Sequence, residues 1–169
     1  LPKEARPDVR AEKREKNMSE ALTRLAILMQ DPAYAEAFER AENTIRDFKE
    51  RAEERLHQFD DRIDMIDAEL EALGPDAAGS EAYDRLRQER EDLQRRQQEI
   101  LDYYQTIIQP MEDRMNDPTD PPSQEELNEF DERVRLDLER QFPPAPAEQP
   151  AAVPDSSPRS NIDLPKIKG

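Results

Sequence analysis

Apolar residues between Phe38 and Leu73 fall at Phe38, Ala41, Ile45, Phe48, Ala52, Leu56, Phe59, Ile63, Ile66, Leu70 and Leu73. The steps alternate between three and four, with one repeated four from Ala52 to Leu56. Such spacing keeps one face of a helix apolar, and the repeated four is a local slip toward an eleven-residue repeat. A second stripe follows at Tyr83, Leu86, Leu93, Ile100, Tyr104, Ile107, Ile108, Met111 and Met115. Between the two lies Gly74-Pro75-Asp76-Ala77-Ala78-Gly79-Ser80, which supplies a helix stop, a Pro just beyond it and Ser80 as the next N-cap.

So short a connection predicts antiparallel neighbours. Folding there sets Leu70 against Leu86, Ile63 against Leu93, Leu56 against Ile100 and Ala52 against Tyr104. Phe48 then faces Ile107 and Ile108, and Ile45 faces Met111. Two positions interrupt the second stripe, Arg90 opposite Ile66 and Gln97 opposite Phe59. The Arg90 stem is expected to lie along the seam with its head group reaching Asp64 or Asp67.

Shorter helices flank this pair. Ser19 is a plausible N-cap for a helix to about Gln30 that carries Leu22, Leu25, Ile27, Leu28 and Met29, the most apolar dozen residues of the chain. These side chains are expected to be buried against the bundle or a partner. Asp31-Pro32 reads as an N-cap followed by Pro at the first helical position, so the long helix starts near Pro32. Pro110 removes a helix hydrogen bond and is expected to kink or restart the second arm. Residues 116–122, with three Pro, form a stop. Ser123-x-x-Glu126 is a capping box opening a helix to about Phe142, with Leu127, Phe130, Val134 and Leu138 on one face. Seven aromatic residues, Tyr34, Phe38, Phe48, Tyr103, Tyr104, Phe130 and Phe142, are expected to gather at the open end.

The expected fold is therefore all-α: a long antiparallel, coiled-coil-like helical hairpin, short flanking helices packing at its open end, and disordered or extended tails. The expected divisions are a basic flexible or weakly helical arm over 1–18, a helical domain over 19–142 and a Pro-rich linker over 143–169. That linker ends in Ile162, Leu164, Lys166, Ile167 and Lys168, which read as a docking motif for a partner. Leu22, Leu25, Leu28, Phe130, Val134 and Leu138 are expected to pack in the bundle or against a partner.

Composition supports thin helical packing. Only 34% of the 169 residues are hydrophobic and 39% are charged, too few apolar groups for a thick core. The net charge of −16 disfavours binding to nucleic acid or to an anionic membrane surface. It is also unevenly placed. Residues 1–30 hold 7 basic and 5 acidic side chains, 31–142 hold 15 and 33, and 143–169 hold 3 and 3. No apolar run is long enough to span a bilayer. Without Cys there are no disulfides or thiolate metal sites. A soluble chain is expected, with the cytoplasm favoured; the start at Leu1 leaves a processed or exported product, or an anchor upstream, open.

Candidate chemistry is sparse. Glu54-x-x-His57 matches half of a di-iron bundle motif, but His57 is the only His and lies opposite the stripe. Asp60, Asp61, Asp64 and Asp67 spread around their helix rather than converging. No nucleophile elbow, phosphate loop or dinucleotide fingerprint is present. The expectation is a non-enzyme without cofactor or metal: a scaffold, adaptor or secretion chaperone whose partners are proteins, a second copy among them. The alternative is an acidic inhibitor, or a nucleic-acid mimic, that binds a basic protein surface.

Overall fold

Helices account for nearly all of residues 9–142, the part of the chain that the computed structural model describes. Their order is α1 (Val9–Met29), α2 (Pro32–Leu73), α3 (Glu81–Tyr103), a π-helical turn (Tyr104–Ile108), α4 (Gln109–Met115) and α5 (Gln124–Gln141). No strand occurs among the described residues. The expected docking residues Ile162, Leu164, Lys166, Ile167 and Lys168 lie outside them. By contacts the chain divides into two units, residues 1–136 and 137–169. The described part of the second is the end of α5 through Phe142, in which Leu138 and Phe142 are buried.

The helix ends follow local chemistry. Asp31 accepts a hydrogen bond from the Ala33 N–H at 3.0 Å and Pro32 opens α2, as the sequence predicts. At the far end Gly74 adopts φ +80°, and its N–H returns to the Glu71 carbonyl. Ser80 accepts from the Tyr83 N–H at 3.2 Å to start α3. Before α5 the capping box is reciprocal: Glu126 N–H donates to Ser123 Oγ at 3.1 Å, and Ser123 N–H to Glu126 Oε1 at 2.9 Å.

One feature departs from expectation. Helix α1 begins at Val9, so Ser19 lies inside it, with its carbonyl accepting from Thr23 Oγ1. The first ten residues of α1 are mostly charged and helix-compatible, without an apolar stripe, which is why periodicity did not mark them. Pro110 lies at a restart of the second arm, one of the two outcomes expected of it. The chain widens just upstream, where the Gln109 N–H reaches the Tyr104 carbonyl in an i to i−5 bond, and Pro110 then occupies the first turn of α4, where its missing N–H costs little.

Packing joins α2 to α3. Ile63, Ile66 and Leu93 form a buried cluster, with Phe59, Leu70 and Leu86 against it. Charged side chains close over its flanks. Arg62 donates to both carboxylate oxygens of Glu89, at 2.7 and 2.9 Å. Arg90 Nε reaches Asp67 at 2.7 Å, one of the two partners expected for it, and Gln97 donates to Asp60 at 2.6 Å. Farther along, Phe48 stacks on Tyr103 and Tyr104, with ring centroids 5.4 and 6.4 Å away. These partners precede Ile107 and Ile108, the residues the sequence set opposite Phe48.

Helix α5 supplies a polar lock as well as apolar burial. Leu127, Phe130 and Val134 are buried. Thr44 on α2 donates from Oγ1 to Asp131 Oδ1, and the same oxygen accepts from Arg135 Nε at 3.0 Å. Both Thr44 and Asp131 are buried, so each satisfies a group that would otherwise be orphaned. Tyr34 adds a buried hydrogen bond from its hydroxyl to the Pro122 carbonyl at 2.8 Å. Burial pushes its pKa up.

Candidate interaction surfaces

Apolar stripes of α2, α3 and α5 are largely covered, whereas that of α1 is not. Only Ala21 of α1 is buried. Leu22 is 54% exposed and Ile27 61%; Met18, Leu28 and Met29 are also exposed, and Leu25 is half-buried. Thus the six residues expected to pack in the bundle or against a partner separate. Phe130, Val134 and Leu138 are buried, while Leu22 and Leu28 face solvent and Leu25 lies between. Met18 was not singled out in the sequence, although its four-residue step to Leu22 extends the same face.

Arg24, Ile27 and Leu28 also line a shallow groove of about 340 Å³ with Pro118, Thr119 and Pro121. The loop on its far side is held in shape by Arg114. That guanidinium bonds Glu126 at 2.6 and 3.2 Å, and its Nε lies 3.3 Å from Asp120. Arg114 and the Ser123 N–H hold the Glu126 carboxyl down to about 2. Asp117 accepts from the Thr119 N–H and hydroxyl, which lowers its pKa. The loop wall is therefore mainly apolar, through Pro118 and Pro121, and the loop is braced by its own hydrogen bonds.

A second groove, of about 350 Å³, runs beside α2 and α4 over buried Ile45 and Met115, with charged walls that include Arg46, Lys49, Glu53 and Glu112. Glu112 is already engaged by Lys49 and by the Tyr104 hydroxyl, at 3.1 Å for the latter. The Tyr104 pKa rises through burial first and then through this bond to a carboxylate. Lys49 and Glu112 neutralise each other, while Glu42, Glu50 and Glu53 against Arg46 leave the groove lining acidic.

His57 is 77% exposed on the side chain, with Asp61 3.6 Å away. Among the described residues, no group of three or more His, Cys, Asp or Glu is placed to hold a metal ion. None of the described helices is long and apolar enough to cross a membrane. Comparison of the chain with family models, curated proteins and solved structures finds no match.

Proposed function

We propose that this chain is a non-catalytic assembly protein, a scaffold, adaptor or secretion chaperone that works by binding other proteins. The observation carrying this reading is the uncovered apolar face of α1 on a chain whose other stripes are largely buried. Contiguous exposed apolar side chains of this kind are characteristic of interaction surfaces. In the same reading α2 and α3 form an antiparallel, coiled-coil-like hairpin that serves as a rigid platform. The cluster of Ile63, Ile66 and Leu93 and the pairs Asp60–Gln97 and Asp67–Arg90 support that arrangement, since rising numbers in α2 meet falling numbers in α3. The terminal residues Ile162, Leu164, Lys166, Ile167 and Lys168 would form a second, tail-borne contact.

The test is affinity capture with the full chain, a chain ending at residue 142, and a Leu22→Glu, Leu28→Glu double variant. Loss of a defined partner in either altered form, with helicity unchanged, supports the reading. Capture by both altered forms at the level of the full chain refutes it. The acidic-inhibitor reading draws on the excess of 33 acidic over 15 basic side chains in residues 31–142. Binding through that charge would weaken steeply as salt is raised, whereas binding through α1 or the tail would not.

A further inference from the structure

Sulfur is unevenly placed in this chain. It holds no Cys, so its five Met carry every oxidisable sulfur atom. Met115 is 8% exposed and Met111 is half-buried, both on α4. Met65 is exposed on α2, but the charged side chains of Asp61 and Glu69 stand one turn to either side of it, so no apolar stripe runs through it. Met18 and Met29 differ from all three. They are 41% and 38% exposed, and they lie at the two ends of the α1 stripe with Leu22 and Leu25 between them. The steps of four, three and four keep these four residues within about 60° of arc on one side of the helix.

Two of the four apolar groups on this face are therefore thioethers open to solvent. An unbranched thioether is soft and adaptable, which suits a surface that must fit a partner. It is also the one apolar side chain here that a mild oxidant converts into a strongly polar one, since the sulfoxide oxygen demands water or a hydrogen-bond donor. Leu22 and Leu25 have no such chemistry. Oxidation would place a polar group at each end of the stripe and leave only its middle apolar.

We propose that Met18 and Met29 form a peroxide-sensitive modification site that switches the α1 face from apolar to polar. In each event the sulfur lone pair attacks one oxygen of hydrogen peroxide. An S–O bond forms and the O–O bond breaks. The sulfur gives up two electrons, the proton on the transferred oxygen passes to the departing hydroxide, and water leaves. The product is methionine sulfoxide, which a sulfoxide reductase returns to the thioether. The proposal rests on the reading of α1 as a binding face and adds its regulation.

Retention of the full chain on phenyl-agarose, before and after dilute hydrogen peroxide, tests this without a partner in hand. Peptide mass mapping should find one added oxygen on each of Met18 and Met29 while Met115 stays reduced. The oxidised chain should leave the column at lower ammonium sulfate, with unchanged far-UV circular dichroism, and reductase treatment should restore the original position. A Met18→Leu, Met29→Leu chain keeps the face apolar at nearly the same volume. It should elute with the reduced parent both before and after peroxide. An elution position that peroxide does not move overturns the proposal. So does an equal shift in the double-Leu chain, which would place the effect at Met65, or a shift accompanied by loss of helicity. If Leu22→Glu with Leu28→Glu costs the chain no partner, the binding reading of α1 fails by itself, and the peroxide shift would still stand.

Discussion

Ile66 and Met65 are neighbours in α2 with opposite surroundings. Ile66 is 0% exposed in the cluster with Ile63 and Leu93, and Met65 is 57% exposed. Replacing Ile66 by Ala removes three carbon groups from a buried site, about 2.4 kcal/mol at roughly 0.8 kcal/mol each. A residual cavity adds to this, and the better helix propensity of Ala returns a few tenths, giving a net loss of about 3 kcal/mol. Met65→Ala removes a side chain already in water and should change stability by less than about 0.5 kcal/mol. Urea unfolding followed by far-UV circular dichroism measures both. Because contacts divide the chain into two units, hydrogen exchange should locate the loss within α2 and α3. Equal effects from the two variants, or a loss below about 0.5 kcal/mol for Ile66→Ala, would refute the assigned phase of α2.

The buried Thr44–Asp131 bond predicts that Thr44→Val, nearly unchanged in shape, destabilises by about 1–3 kcal/mol because the carboxylate loses a donor. Thr44→Ser should lose distinctly less; denaturation of the two variants side by side shows whether the hydroxyl matters. Glu126 provides a pH test. Its carboxyl is held near 2 in the folded chain, against an ordinary value of 4.5. Its stabilising contribution is thus complete above the ordinary value and fades as pH falls from there toward 2. The side chain is 45% exposed, so solvent screening reduces that contribution to about 1 kcal/mol. The stability gap between the parent and Glu126→Gln should therefore close across that acid window, and a gap of constant size would contradict the assigned pairing.

Helix ends were legible in the sequence because their causes are local. Asp31-Pro32, Gly74, Ser80 and the Ser123–Glu126 box each satisfy orphaned backbone groups within a few residues. The covered face of α5 was legible from its periodicity. The start of α1 was not, since Lys13, Arg14 and Glu15 suit a helix without marking a face. Nor was the widened turn at Tyr104, which accommodates a Pro by changing a backbone bond. Thr44 and Asp131 lie 87 positions apart, and no local spacing announces such a pair. Exposure of Leu22 was beyond reach as well, because an apolar stripe states what water disfavours and not which surface covers it.

The widened turn before Pro110 also acts on rotational phase. An ordinary helix advances about 100° per residue, so one residue absorbed in a five-position hydrogen bond re-indexes every side chain downstream. Met115 points inward and Arg114 reaches Glu126 in that re-indexed setting. Were the turn from Tyr104 to Ile108 ordinary α-helix at the same chain length, α4 would be rotated by about a quarter turn, aiming a guanidinium where a thioether now packs, whereas excising one residue there would restore an ordinary turn and keep α4 in phase.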